Sequence, residues 1–246
     1  MSYIVTKQTV IFFNANETAQ DFQWLQMAVS QDFENHIGTR QALQNIACTH
    51  DRLSAADGFR IHSVNKKNNQ PMGLYRINDG KPLRKTKGHY LCTDNTEEHN
   101  YPNLDRVFPK MPMSYRVTVE LETLLSETMG KHKTNEVRLS FYLDGYDKRM
   151  CVDFVHWDKD SNERETKHTS TFKLAGDSTL PNRDFDIYIN RNYFIDALLM
   201  PTDGTFVDIH LDSPTSPVVI EDNEKGEYKV VVMPLIPNYK RKKVSQ

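Results

Sequence analysis

The 246-residue chain contains 38% hydrophobic and 26% charged residues, a composition typical of a folded protein, which excludes an intrinsically disordered one. Its formal charge of −2 excludes a protein that coats nucleic acid or membrane with its whole surface, although one basic face remains possible. Its three cysteines are widely spaced and form no C-x-x-C pattern, so we expect reduced thiols and a cytoplasmic location. The sequence contains neither an export signal nor a membrane-spanning apolar stretch, so we expect no membrane association.

The first half of the chain is predicted to open with a strand and a helix. An apolar residue recurs every three or four positions between Phe22 and Val29, which indicates a helix with one buried stripe. The segment 66–99 is polar and shows no helical period, and Pro109 and Pro112 suggest a domain boundary. The predicted elements are a strand at 3–13, a helix at 18–31, and strands at 42–49, 52–56, 59–64, 72–77 and 89–93.

The second half repeats one order of elements, namely a strand, a helix and three strands. This order occurs twice between residues 115 and 236 and once, less completely, between 3 and 100. Asn190 is expected to cap the last helix. The predicted elements are strands at 115–119, 137–143, 149–157, 168–174, 185–189, 205–211, 217–220 and 228–235, and helices at 120–129 and 192–199. The pattern predicts an α+β fold of antiparallel sheets with helices on one face.

Basic residues concentrate in one stretch of the first half. Between Arg60 and Tyr90 there are eight Lys or Arg residues and one acid, Asp79. Clustered cations of this kind bind nucleic-acid phosphates without regard to base sequence, but lysines also keep exposed loops and edge strands soluble. The sequence leaves these two interpretations open. A second basic run, at 240–243, is interpreted as a disordered tail.

Signatures of enzymatic chemistry are absent. The chain contains no phosphate-binding loop, dinucleotide fingerprint, nucleophile elbow or H-E-x-x-H motif, so we expect no enzyme and no cofactor. One spacing could suit a metal, because Asp208, His210 and Asp212 alternate along a predicted strand. The favoured interpretation is that these residues form the solvated face of a half-buried strand. We therefore predict no metal site.

Four motifs carry a resemblance to a known family. They are SAADGFRIHSV at 54–64, YPNLDRVFPK at 101–110, INRNYFIDAL at 189–198, and the closing segment in which DSPTSP at 212–217 precedes VVMP at 231–234. In this order they resemble the bacterial-type β sliding clamp, the ring that tethers a replicative polymerase to DNA. The first two motifs resemble its middle domain, and the last resembles its final domain.

The resemblance implies two DNA-clamp-like domains, at 1–112 and 113–238, followed by a basic tail at 239–246. The first of these lacks one of the family's helices, and the family's own first domain has no counterpart. Such a shortened form favours a phage or another mobile replicon in a bacterial host. The acidic stretch 8–39, which holds four acids and no Lys or Arg, departs from the basic helices of the family.

The implied activity is that of a processivity factor that encircles double-stranded DNA and performs no bond chemistry. Six domains close such a ring, so a chain with two domains favours a homotrimer. Candidate phosphate contacts, chosen by charge and predicted position, are Arg84, Lys85, Lys87, Lys131, Lys133 and Arg191.

The second implied site is a pocket for short peptide motifs of the replicative DNA polymerase and the clamp loader. Its wall maps to Leu43, Gly58, Phe59, Arg60, Ile61, Pro109, Val231, Met233 and Pro234. Arg60 is expected to meet polar or acidic atoms of the peptide, and Phe59 replaces a histidine that is common in the family. The alternative is a clamp-derived interaction module that keeps this pocket and forms no ring.

Overall fold

A computed structural model describes residues 11–12, 18–30, 43–67, 72–77, 91–94, 101–130, 132–158, 163–181 and 185–236. The chain divides into two compact units. Unit 1 comprises Met1–Pro109, Leu199–Gly204 and Ile220–Val231, and unit 2 comprises Lys110–Leu198, Thr205–Val219 and Val232–Gln246. The predicted division at residues 112 and 113 stays a prediction.

Unit 1 contains one helix, α1, among its described residues, together with a mainly antiparallel sheet. The helix is Thr18–Gln26. The strands that lie wholly or mostly in unit 1 are β1 (Ile11–Phe12), β2 (Ile46–Cys48), β3 (Leu53–Ala56), β4 (Arg60–Val64), β5 (Gly73–Ile77), β6 (Leu91–Asp94), β13 (Val218–Asp222) and β14 (Tyr228–Val232). Their order across the sheet is β1, β6, β5, β2, β3, β4, β14, β13.

The buried face of α1 holds it against this sheet. Phe22 and Leu25 are fully buried and Trp24 nearly so, as the apolar stripe predicted. The Phe22 ring meets Tyr75 of β5 edge to face, with centroids 6.4 Å apart. Asp21 is buried on the same helix, where its carboxylate accepts a hydrogen bond from the Tyr228 hydroxyl at 2.8 Å. Lys66 completes this contact, because its Nζ lies 2.6 Å from the other Asp21 oxygen.

Unit 2 contains two helices and two groups of strands among its described residues. The helices are α2 (Leu121–Thr128) and α3 (Arg191–Leu198). The strands are β7 (Tyr115–Glu120), β8 (Glu136–Asp144), β9 (Asp147–Asp158), β10 (Glu163–Lys173), β11 (Ile187–Asn190) and β12 (Phe206–Leu211). The order β10, β9, β8, β11 forms an antiparallel sheet, and β12 pairs with β7 in an antiparallel ladder.

The helices of unit 2 cover one face of its strands. Leu124 of α2 and Phe194 of α3 are fully buried, as are Leu139 and Val152 of the four-stranded sheet. The Asn190 side chain accepts a hydrogen bond from the Asn192 amide at 2.9 Å and so caps α3, as predicted.

The observed elements confirm the predicted α+β class of antiparallel sheets. The order strand, helix, three strands occurs twice from β7 to β14 and is also present from β1 to β4. No helix in the described part of the chain is both long and apolar enough to cross a membrane.

Candidate functional site

The turn between β3 and β4 holds the first group of predicted pocket residues. The Asp57 carboxylate accepts hydrogen bonds from the amides of Phe59 at 2.9 Å and Arg60 at 3.1 Å, which shapes the turn. Gly58 has φ +95°, a conformation that side-chain-bearing residues rarely adopt. The Phe59 side chain is consequently presented to solvent, and the residue is 62% exposed.

Arg60 follows this turn, and its guanidinium forms hydrogen bonds within unit 1. Its Nε donates to the Asp57 carboxylate at 3.0 Å, and its Nη2 donates to the Met27 carbonyl oxygen at the end of α1. Only 9% of the residue is exposed. The predicted contact between Arg60 and a bound peptide stays a prediction, but the structure gives this guanidinium two intramolecular partners.

The other predicted pocket residues differ widely in exposure. Met233 is 41% exposed, and Leu43 and Pro109 are half-buried. The remaining apolar members, Ile61, Val231 and Pro234, are buried. The residues of the set up to Pro109, together with Val231, belong to unit 1, and Met233 and Pro234 belong to unit 2.

Within unit 1, the end of α1 brings two parts of the predicted wall together. The Ser30 amide donates to the Leu43 carbonyl oxygen at 3.0 Å, and three residues earlier the Met27 carbonyl receives Arg60. Met27 itself is 38% exposed. Sequence reasoning missed Met27 as a candidate wall residue. The sequence signal for Met27 is that this apolar residue lies outside the apolar stripe of α1, where an exposed side chain is expected.

The segment Tyr101–Lys110 is anchored along β3. Asn103 caps a short 3₁₀ helix, Leu104–Arg106, whose first residue is buried. Arg52, just before β3, forms an ion pair with Asp105 at 2.7 Å, and its guanidinium lies 5.9 Å from the centre of the Phe108 ring. These contacts position Pro109, the next residue along the chain.

Four of the six predicted phosphate contacts, Arg84, Lys85, Lys87 and Lys131, lie outside the described residues. Lys133 is exposed in the segment after α2. Arg191 is half-buried at the start of α3, where its guanidinium donates to three carbonyl oxygens at and beyond the end of α2. These are Thr128 at 2.7 Å, Gly130 at 2.6 Å and His132 at 2.9 Å.

The contacts of Arg191 bear on its predicted role. Desolvation lowers the pKa of this guanidinium, and its cation neutralises the negative end of the α2 dipole. Arg191 therefore joins α2 to α3. Its contact with a phosphate stays a prediction.

The three described helices carry almost no positive charge. α1 contains Asp21 and no Lys or Arg, α2 contains Glu122 and Glu127, and α3 contains Asp196 and Arg191. Because Arg191 is held by carbonyl oxygens, these helices offer little to attract a phosphate backbone.

The structure contradicts the predicted solvent exposure of the alternating polar residues of β12. Asp208 and His210 were expected on a solvated face, but they are only 5% and 6% exposed. Asp208 accepts a hydrogen bond from the Thr118 hydroxyl of β7, and its other oxygen lies 3.9 Å from Arg116. Asp212 follows the strand, is exposed, and accepts from the Ser114 hydroxyl. The expectation of a solvated face was wrong because Asp208 and His210 are buried, and Thr118 of β7 supplies Asp208 with a hydrogen-bond partner there.

Comparison with solved structures identifies the architecture. The β sliding clamp of Caulobacter crescentus superposes with a TM-score of 0.66 at 14% identity, over 96% of this chain and 67% of that one. The Helicobacter pylori β clamp gives a TM-score of 0.65 at 14% identity, and the Bartonella birtlesii clamp, a DNA polymerase III subunit beta bound to griselimycin, gives 0.63 at 16%. Each of these two superposes over 96% of this chain and 68% of its own.

The chain has the sliding-clamp fold. No protein-family model matches the sequence, and no curated protein does. At about 15% identity the sliding-clamp likeness rests on backbone topology, which agrees with the fold that the four sequence motifs implied.

Proposed function

We propose that this protein is a sliding-clamp processivity factor that surrounds double-stranded DNA and holds a replicative DNA polymerase through a peptide-binding pocket. The observation that carries the proposal is the sliding-clamp fold over 96% of the chain, together with four family motifs in the family's order. A clamp acts by topology, because a closed ring leaves the duplex only by opening. It requires no catalytic residue, and weak, mobile phosphate contacts are sufficient.

The proposed ring is a homotrimer. Sliding clamps of the resembling families close with six similar domains, as two chains of three domains or three chains of two. This chain spans 67% of the Caulobacter clamp, the share expected for two of three domains. Repetition of one head-to-tail contact by rotation would then close the ring with three copies.

The residues proposed to bind partner peptides include exposed apolar side chains. Phe59 and Met233 are 62% and 41% exposed, and Met27 adds another flexible apolar side chain beside Arg60 in unit 1. Methionine repacks readily, so these side chains can accommodate more than one partner sequence. Polymerase and clamp loader are the proposed partners.

A second candidate function is an interaction module that binds replication proteins through the same pocket but forms no ring. The charge of the helices favours it, because three of their acids, Glu122, Glu127 and Asp196, are not buried, and their one base is held by carbonyl oxygens. A surface of this kind repels phosphates rather than attracting them.

The mass in solution separates the two candidates. Light scattering across a wide concentration range, with and without duplex DNA, should give three times the chain mass of 28.6 kDa for the ring. A stable dimer would contradict the six-domain argument, and a monomer under all conditions would favour the module.

Retention on circular DNA tests encirclement directly. A clamp loaded on nicked circular plasmid should co-elute with it at high salt and should be lost after the plasmid is cut once, because a ring slides off free ends. Equal retention on circular and linear DNA would rule out a topological link.

The pocket is tested by binding of a clamp-binding peptide from the cognate polymerase. Met233→Ala combined with Leu43→Ala should weaken binding by very roughly 1–3 kcal/mol, as for other buried apolar anchors. Met111→Ala is the matched control, because Met111 is also 41% exposed and lies outside the predicted pocket. Unchanged affinity of the double variant would exclude this pocket.

The basic loop is tested by the salt dependence of DNA binding. Neutralisation of Arg84, Lys85 and Lys87 should weaken binding to every DNA sequence alike. It should reduce the slope of the logarithm of the binding constant against the logarithm of salt concentration by up to about three. The matched control neutralises three lysines elsewhere, Lys167, Lys173 and Lys225. An unchanged slope in the loop variant would leave the loop as a solvated edge.

A further inference from the structure

Two histidines and a phenylalanine pack together at the C-terminal end of α2. The His132 ring lies 4.2 Å from the Phe154 ring and 4.5 Å from the His168 ring, centroid to centroid. The two imidazole planes differ by only 12°. This group, which we call the histidine stack, lies within unit 2 and has no part in the proposed function.

The ring geometry argues against two kinds of site. Nearly parallel imidazoles direct their lone pairs along separate planes, so His132 and His168 cannot share one metal ion. A serine nucleophile is also disfavoured. The Ser170 hydroxyl donates to Glu127 Oε2 at 2.8 Å, and His168 Nε2, 3.2 Å away, then serves as a donor to Ser170 rather than as its base.

The charges that face the stack make protonation costly. α2 presents Glu127, β10 presents His168, and α3 presents Arg191, whereas β9 presents the uncharged Phe154. The pKa of His132 is lowered by desolvation, then by His168 and Arg191, and is raised only by Glu127. Lys133, next in the chain, is exposed. A proton on the stack therefore adds a cation where one carboxylate already faces one guanidinium.

The same residues hold the end of α2 in place. Arg191 Nη1 binds the His132 carbonyl oxygen at 2.9 Å, and its cation lies 5.7 Å from the centre of the Phe154 ring. The His132 amide donates to the Gly130 carbonyl at 2.7 Å, and the Arg191 amide donates to the Asn135 carbonyl at 3.0 Å. The position of the His132 ring is thus coupled to the junction between α2 and α3.

We propose that the histidine stack is a pH-dependent clasp on the junction of α2 and α3, closed while the His132 imidazole is neutral and opened by its protonation. A proton on the His132 ring replaces the stacking attraction by repulsion from Arg191. Separation of the rings then draws the His132 carbonyl away from the Arg191 guanidinium. Because a lowered pKa in the closed form means that the open form binds the proton more tightly, opening increases as pH falls below about 6.5.

Hydrogen exchange of the intact chain tests the clasp. The amides of Gly130 and His132, which donate to Glu127 and Gly130, should lose about three- to tenfold of their protection between pH 7.5 and 5.5, after correction for intrinsic rates. His132→Phe keeps a ring in the stack but cannot bind a proton at this position, so its protection should not change with pH. His156→Gln removes an exposed histidine of β9 and should behave as the parent does.

Two results would overturn the proposal. One is protection of the amides at 130 and 132 that stays constant down to pH 5.5 in the parent, and the other is an equal loss of protection in His132→Phe. If His132→Phe fails to fold, the titration of the parent still decides. The imidazole proton signals of His132 should then titrate with a midpoint below 6.5, and a midpoint at or above 6.5 would exclude the clasp.

Discussion

Acid should destabilise unit 1 through one buried histidine, His62 of β4. Its ring is fully buried, stacks on Trp24 with centroids 4.4 Å apart, and has Nδ1 3.3 Å from the Trp24 carbonyl oxygen. Burial and, to a lesser extent, the neighbouring Arg60 lower its pKa from 6.5 to about 3. The native protein therefore holds His62 neutral where the unfolded chain would bind a proton.

The magnitude follows from proton linkage. A lowered pKa in the folded state gives stability that is present above pH 6.5 and is lost as pH falls toward 3. The loss approaches about 1.4 kcal/mol per pH unit within this window, so moving from pH 7 to pH 5 should cost about 2 kcal/mol. With an m-value of about 1.5 kcal/mol/M, the urea midpoint of unit 1 should fall by roughly 1 M.

The assay uses Trp24 as a reporter of unit 1. The chain has two tryptophans, and Trp157→Phe removes the second, which lies in β9 of unit 2. His62→Phe is the test variant, because it preserves a stacked ring and binds no proton. The Trp24 carbonyl keeps a donor in this variant, since the Met27 amide lies 3.2 Å away.

The difference between parent and variant isolates His62, because the carboxylates and other histidines titrate in both. Urea unfolding at pH 7 and pH 5 should show a loss about 2 kcal/mol larger in the parent than in His62→Phe. His50→Gln, which removes an exposed histidine of unit 1, should follow the parent. Parallel pH dependence of the parent and His62→Phe would refute the reasoning.

Three further outcomes are expected. Asp57→Ala should destabilise unit 1 by about 3 kcal/mol in urea unfolding, because it removes the carboxylate partner of the buried Arg60 guanidinium. Asp57→Asn should cost less, because its amide oxygen still accepts a hydrogen bond in the turn. Parent-like stability of Asp57→Ala would contradict this. Arg191→Met should lower the stability of unit 2 by about 2 kcal/mol in urea unfolding, since it removes hydrogen bonds to three carbonyl oxygens, and parent-like stability would contradict this. Lys133→Gln should leave the stability of unit 2 unchanged. It should reduce the slope of the logarithm of the DNA-binding constant against the logarithm of salt concentration by about one.

Local sequence signals determined much of the fold. The Asp57–Gly58 pair, between the predicted strands at 52–56 and 59–64, is a hairpin signal in the sequence, and the structure has Asp57 accepting from two amides and Gly58 at φ +95°. Asn190 was predicted to cap a helix, and its side chain accepts from Asn192. These features depend on backbone conformation and on hydrogen bonds between near neighbours, so a few consecutive residues contain the information.

The partners of charged and polar side chains were decided only by the tertiary structure. The alternation along β12 predicted a solvated polar face, but Asp208 is buried against Thr118, 90 residues away in the chain. Charge and position made Arg191 a candidate phosphate contact in the sequence, and only the folded chain shows its hydrogen bonds to the carbonyl oxygens of Thr128 and Gly130. Arg60 likewise binds Met27, 33 residues away.

The physical reason is that a polar group must find a partner when it is buried, while its residue type does not specify which one. Periodicity and turn residues act over a few positions and are readable from the sequence. Which carboxylate or carbonyl reaches a given guanidinium depends on packing between distant segments, as the internal hydrogen bonds of Arg60 and Arg191 show.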